Sequence, residues 1–233
     1  MTYTEENIVN FDDCCRFFEQ ELTQDELYYF LKQGSLAEKQ LACIRIISVD
    51  NFEQASILMQ NLTGIDGKVR EAVSFKLKTF LSEKPDLFKS VEFYNVFLNS
   101  IIDINGNICR NIISALINLK SDSEFCEYFI PKLITQAHGV VDSIDRFEYK
   151  DRKYVTNKEV FKLYWYLETL SIFDEIPQDL LYSLLERTSV IEEYTIREKT
   201  AQLLPKFVEP QPALISNLGY DDNFYVKLAL SRK

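Results

Sequence analysis

The sequence predicts an all-α chain organised as a helical solenoid, and three observations carry that prediction. Glycine and proline number six each in 233 residues, so the residues that tight β-turns and long loops use are scarce. Ser, Thr or Asp precedes Glu by three positions at Thr23/Glu26, Ser35/Glu38, Asp50/Glu53, Ser121/Glu124, Thr156/Glu159, Ser189/Glu192 and Thr195/Glu198. At that spacing two side chains reciprocally satisfy N–H groups that a helix start leaves without partners. The third observation is repetition. IDGKVREAVSFKL (65–77) returns as INGNICRNIISAL (104–116) at an offset of 39 residues, a period typical of solenoid repeats of about 20 to 50 residues.

Taken in chain order, residues 1–34 read as an acidic N-terminal helical cap with helices near 11–22 and 24–32. Leu27, Phe30 and Leu31, and then Phe52, Ala55, Leu58 and Met59, recur at the three- and four-residue spacing of amphipathic helices. The solenoid runs from 35 to 233, continuous with the cap as a single domain. Its further echoes are SLAEKQLACIRII (35–47), EYTIREKTAQLL (193–204) and NFYVKLALS (223–231). The reference positions 38, 69, 108, 196 and 226 are separated by 31, 39, 88 and 30 residues. The long gap holds a degenerate copy near 156–170 and an irregular insertion near 138–156, within which 149–155 has the only strand character. A helix near 223–232 closes the C-terminal end.

The pattern of a capping residue, then Val/Ile-Arg, then small or apolar residues up to a Leu resembles the second helix of a HEAT repeat. Val69-Arg70-Glu71-Ala72-Val73 and Ile196-Arg197-Glu198-Lys199-Thr200-Ala201 match best, while Cys109 stands where Arg is expected and Glu38 where an apolar residue is expected. The resemblance implies a right-handed α-α superhelix of five or six helix pairs. It assigns structural repeat roles to Asp66, Val69, Arg70, Asn105, Ile108, Ile196, Arg197, Val226 and Lys227, with Asp66, Arg70 and Arg197 bonding between neighbouring repeats. Ser35, Asp66, Asn105 and Asn223 occupy equivalent places where a side chain accepts from an early helix N–H.

Composition narrows the function. The net charge is −10, which argues against a nucleic-acid binder, since phosphate neutralisation needs surplus Lys and Arg. Residues 1–26 hold eight acids against Arg16 and account for −7 of that charge, so a local basic patch remains compatible with the total. The start MTYTEENIVNFDD is acidic where a secretory signal is basic and then apolar, and no uninterrupted apolar run has the length of a membrane span. The expectation is a cytoplasmic chain without a membrane anchor. Cys14, Cys15, Cys43, Cys109 and Cys126 form an odd number without metal spacing, and are expected as free thiols.

No catalytic constellation assembles. His138, the only histidine, excludes a second imidazole for zinc and is expected at a helix end beside Gly139. Gly67 opens neither G-x-x-x-x-G-K-[ST] nor G-x-G-x-x-G. Adjacent Cys14 and Cys15 point about 100° apart on a helix. Glu192-Glu193 and Asp221-Asp222 suit helix N-termini in an acidic chain. The expectation is a non-enzyme with no cofactor and no metal.

One stretch departs from the rest. RFEYKDRKYVTNKEVFKLYWY (146–166) carries six cations against three acids, with aromatic residues interleaved. Arg146, Tyr149, Lys150, Arg152, Lys153, Tyr154, Lys158 and Lys162 are therefore candidate protein-binding residues, because aromatic and Arg side chains concentrate at interaction hot spots. The alternative is that Trp165 and some tyrosines belong to the core. The expected function is a cytoplasmic interaction scaffold that binds a protein partner on the second-helix ridge. The contrasting expectation is a HEAT-like enzyme or enzyme accessory, DNA glycosylase-like or phycobilin lyase-like, which the fold alone does not exclude.

Overall fold

A computed structural model describes residues 11–145, 153–209 and 211–231, with side chains for all of these except 11–13 and 153–156. Among them are thirteen α-helices and no strand: α1 (Phe11–Glu19), α2 (Gln24–Gln33), α3 (Leu36–Arg45), α4 (Phe52–Leu62), α5 (Gly67–Glu83), α6 (Val91–Ser100), α7 (Gly106–Leu116), α8 (Ser123–Asp145), α9 (Lys153–Leu170), α10 (Gln178–Thr188), α11 (Tyr194–Leu203), α12 (Pro212–Gly219) and α13 (Phe224–Ser231). They fall into two compact units, Met1–Leu119 and Lys120–Lys233. No helix among the described residues is long and apolar enough to cross a membrane.

Two of the expected caps form as the sequence places them. Thr23 and Ser35 accept from the N–H groups of Glu26 and Glu38, whose carboxylates accept in return from the cap N–H groups. The other five shift or vanish. Asn51, not Asp50, caps α4, because the Gln54 side chain answers the Asp50 N–H and sets the start one residue later. Asp122, not Ser121, accepts from the Phe125 N–H at the start of α8. Thr156 lies inside α9, Ser189 caps the C-terminus of α10, and Thr195 lies inside α11 after Glu193. The proposed insertion near 138–156 also contracts, since α8 continues to Asp145 and α9 begins at Lys153. The described part of the suggested strand, 153–155, is helical.

Sequential helices pack in pairs, α2 on α3, α4 on α5, α6 on α7, α8 on α9, α10 on α11 and α12 on α13. Alternate helices also touch: α1 with α3, α3 with α5 and α5 with α7 form one row in unit 1, and α2 with α4 and α4 with α6 form another. In unit 2, α9 packs on α11 and α11 on α13. Between the rows of unit 1 lie Leu31, Leu58, Leu77, Phe80, Phe88, Phe97 and Ile112, all essentially without solvent exposure. Removing such a side chain from water stabilises by about 1.5–3 kcal/mol each. Phe125, Phe129 and Phe173 cluster similarly in unit 2, with ring centroids 4.7 to 6.1 Å apart.

A recurring register fixes how one row helix meets the next. Counting from the capping residue, the third position is buried at Val69, Ile108, Phe125, Ile196 and Val226. In α5, α7, α8 and α11 the fourth position donates to the carbonyl six residues back. Arg70 Nη1 donates to the Gly64 and Ile65 carbonyls at 2.9 Å, and Arg197 Nη1 donates to those of Ile191 and Glu192. Arg70 Nε and Nη2 also donate to Asp103 Oδ2 and Oδ1, at 2.7 and 3.2 Å. Arg197 holds Asp221 with the same two nitrogens. Each aspartate, two residues before the next cap, also accepts from that cap's N–H at 2.8 Å, Asp103 from Asn105 and Asp221 from Asn223. Asn105 and Asn223 then cap α7 and α13. The carboxylate that crosses between helices is thus Asp103, whereas Asp66 caps its own helix by accepting from Lys68 and Val69.

Cys109 fills the arginine position of α7, and its thiol donates to the Asp103 carbonyl at 3.2 Å, again six residues back. Cys126 does the same to the Lys120 carbonyl in α8.

Candidate interaction surface

The 146–166 segment divides in two. Arg146, Tyr149, Lys150 and Arg152 lie outside the described residues, and Lys153 and Tyr154 begin the backbone of α9. Lys158 is exposed, while Lys162 is held by the Glu159 carboxylate at 2.7 Å. Two aromatic residues of α9 turn inward, whereas Phe161 is exposed. Trp165 and Tyr166 are buried with Leu163, Leu167 and Leu170, and Tyr166 Oη donates to Gln136 Oε1 at 3.2 Å. Burial, aided by the nearby Glu159 charge, pushes that phenol up to about 12. Tyr164 stands edge-on to Trp165 and beneath the Lys199 ammonium, which pairs with Glu168. Trp165 and Tyr166 therefore belong to the core of unit 2.

A different surface presents apolar side chains to solvent. On the α3/α5/α7 row, Ile44 and Phe75 both stand nine residues after their caps, and are 47% and 70% exposed. Ile47 and Ile117, each twelve residues after its cap, are exposed as well. Ile65 and Ile104 precede the caps of α5 and α7 and are almost fully exposed. Positions nine and twelve lie one helical turn apart, which puts Ile44, Phe75 and Ile117 on one side of the row. In-register bonds hold the row together. Glu71 Oε1 and Oε2 accept from the Asn107 and Asn105 amides, Asn111 donates to Ser74 Oγ, and Asn118 donates to the Lys78 carbonyl. The sequence aligned Ile65 with Ile104, but their exposure had no signal, because isoleucine at helical spacing reads as core.

His138 lies inside α8 rather than at its end. Its Nε2 is 3.4 Å from Ser183 Oγ and its Nδ1 is 3.4 Å from Arg187 Nη1. Partial burial and the Arg187 guanidinium hold the imidazole below its usual range, against an opposing pull from Asp142. A guanidinium can only donate, so Nδ1 accepts and Nε2 carries the proton. Ser183 then accepts from Nε2, the reverse of the polarity a general base requires. Arg187 itself pairs with Asp142 and Asp145.

Burial pushes Cys43 and Cys109 up to about 12, far from the thiolate form that reacts. All five cysteines are free. No group of three or more His, Cys, Asp or Glu residues suited to a metal ion occurs among the described residues.

No family model matches the chain, and no curated protein matches it in sequence.

Proposed function

We propose that this chain is a non-enzymatic HEAT-like α-α repeat protein, a right-handed superhelix of six helix pairs following α1, that serves as a cytoplasmic scaffold or adaptor for a protein partner. Sequential pairing, alternate-helix packing and the Arg70/Asp103 and Arg197/Asp221 junctions support the repeat architecture. The observation that carries the function is the exposed apolar set Ile44, Ile47, Phe75 and Ile117 at repeated register on one row. Apolar patches left in water commonly mark contact surfaces, and repeat rows offer extended ones. Arg146, Tyr149, Lys150, Arg152 and Lys153 provide a second contact region in this proposal.

The test is capture from host lysate by tagged wild type, an Ile44→Glu/Phe75→Glu variant and a Lys150→Glu/Arg152→Glu/Lys153→Glu variant, with equal helicity checked by circular dichroism. A protein retained by wild type and lost by the first variant supports the row as the interface. Loss with the second variant alone moves the interface to 146–153. Identical capture by all three contradicts both regions.

A further inference from the structure

The charge of the α3/α5/α7 row specifies its ligand more closely than protein binding alone, a reading that rests on that row being the interface. These three helices hold Lys39, Arg45, Lys68, Arg70, Lys76, Lys78 and Arg110 against Glu38, Glu71 and Glu83, a net +4 in a chain of −10. The other row of the same unit, α2, α4 and α6, holds Lys32 against Asp25, Glu26, Glu53 and Glu92, a net −3. The two rows are oppositely charged.

The cations and acids of the basic row are also used differently. Arg70 is bound to Asp103, and Arg45 donates to the Phe17 and Gln20 carbonyls. Lys39, Lys68, Lys76 and Lys78 form no ion pair among the described residues. Two of the three acids are engaged locally: Glu38 closes the Ser35 cap and Glu71 receives two asparagine amides. On α5, exposed Lys68 lies two turns before Phe75 and exposed Lys78 one turn after it, so Phe75 stands between two lysines on the same face. Ile44 occupies the equivalent place on α3, which packs against α5.

We propose that the α3/α5/α7 row binds an acidic protein segment that carries bulky apolar side chains among its carboxylates. The carboxylates meet Lys68, Lys76 and Lys78, and the apolar groups cover Ile44 and Phe75. Opposite charge across such a contact speeds encounter and rejects basic competitors. An amphipathic segment laid along helices uses anchors at i, i+3, i+4 and i+7, which suits outward positions spaced the same way. A nucleic acid would satisfy the lysines but leave isoleucines against phosphate, since aliphatic side chains give bases no stacking face.

Fluorescence anisotropy tests this with labelled synthetic peptides of about 18 residues. One carries Glu and Asp with Leu and Phe at helical spacing, one replaces its acids by Lys, and one keeps the acids but replaces its apolar residues by Ser. A mixed-sequence single-stranded oligonucleotide of about 20 nucleotides is the fourth probe. The acidic amphipathic peptide is expected to bind wild type at least about tenfold more tightly than any other probe. Lys68→Glu/Lys78→Glu and Phe75→Ser are each expected to weaken it about tenfold or more, with unfolding temperatures unchanged. Equal binding of the acidic and basic amphipathic peptides, both lost with Phe75→Ser, would overturn the acidic partner while leaving the row as the interface. Tighter binding of the oligonucleotide, or binding of no peptide, would also overturn the proposal. Capture that ignores Ile44→Glu/Phe75→Glu would instead remove the row itself.

Discussion

The α3/α5/α7 row of unit 1 and the α9/α11/α13 row of unit 2 share a way of joining helices and differ in what they turn outward. Both use an arginine four residues after the cap to hold two carbonyls and an aspartate before the next helix. Outward positions diverge before the caps and on α11, whereas α13 exposes Phe224 and Tyr225. Where unit 1 exposes Ile65 and Ile104 before the caps, unit 2 has Glu192 and Asp222. Where unit 1 exposes Phe75, α11 has Gln202. Its cations are spent internally, Arg197 on Asp221 and Lys199 on Glu168. Inward and junction positions answer to folding, so outward positions are free to differ, and the proposed site lies where they do.

The largest expected effect breaks what the rows share. Arg197→Ala and Arg70→Ala leave a mostly buried aspartate without its cation, and each should lower unfolding free energy by about 3 kcal/mol. Cys109→Ala, which removes a single thiol bond at the same register, should cost about 1 kcal/mol. Urea titrations of the three variants check the order, and equal losses would deny that the arginine junction differs from the thiol one.

Acid sharpens the same contrast. The Arg197 guanidinium hydrogen-bonded to Asp221 holds that carboxyl below the usual range, although burial opposes it. A depressed folded value means the stabilisation is complete above the unfolded carboxylate value, about pH 4, and disappears as pH falls through the folded value. Asp221→Asn should therefore be less stable than wild type at neutral pH, with the gap closing below about pH 4. A gap independent of pH would remove the electrostatic account of this junction.

The smallest effect on stability should come from the row proposed to bind a partner. Ile44→Ser/Phe75→Ser is expected to change unfolding free energy by less than about 0.5 kcal/mol. A loss several times larger would make these side chains structural.

How far the sequence reaches follows the same division. The repeated phrase located α3, α5, α7, α11 and α13, because caps and buried third positions are imposed locally and recur. Thr23/Glu26 and Ser35/Glu38 formed because no competing cap lies beside them. Asp50 and Ser121 lost to Asn51 and Asp122, neighbours equally able to accept from an early N–H. The aromatic run at 164–166 drew attention as a surface, yet Tyr166 shares a helical face with Leu163, Leu167 and Leu170, Trp165 lies on another side of α9, and both are buried. Nothing in the identity of Ile44 or Phe75 announced exposure, which depends on where the neighbouring helices pack.

The most direct measurement is photo-crosslinking in the host with p-benzoylphenylalanine placed at position 75 or at position 202, the equivalent outward site of α11. A protein adduct formed at 75, absent at 202 and abolished by Ile44→Glu, is the predicted result. Adducts of equal yield at both positions, or an adduct at 202 alone, would contradict the assignment of function to the row of unit 1.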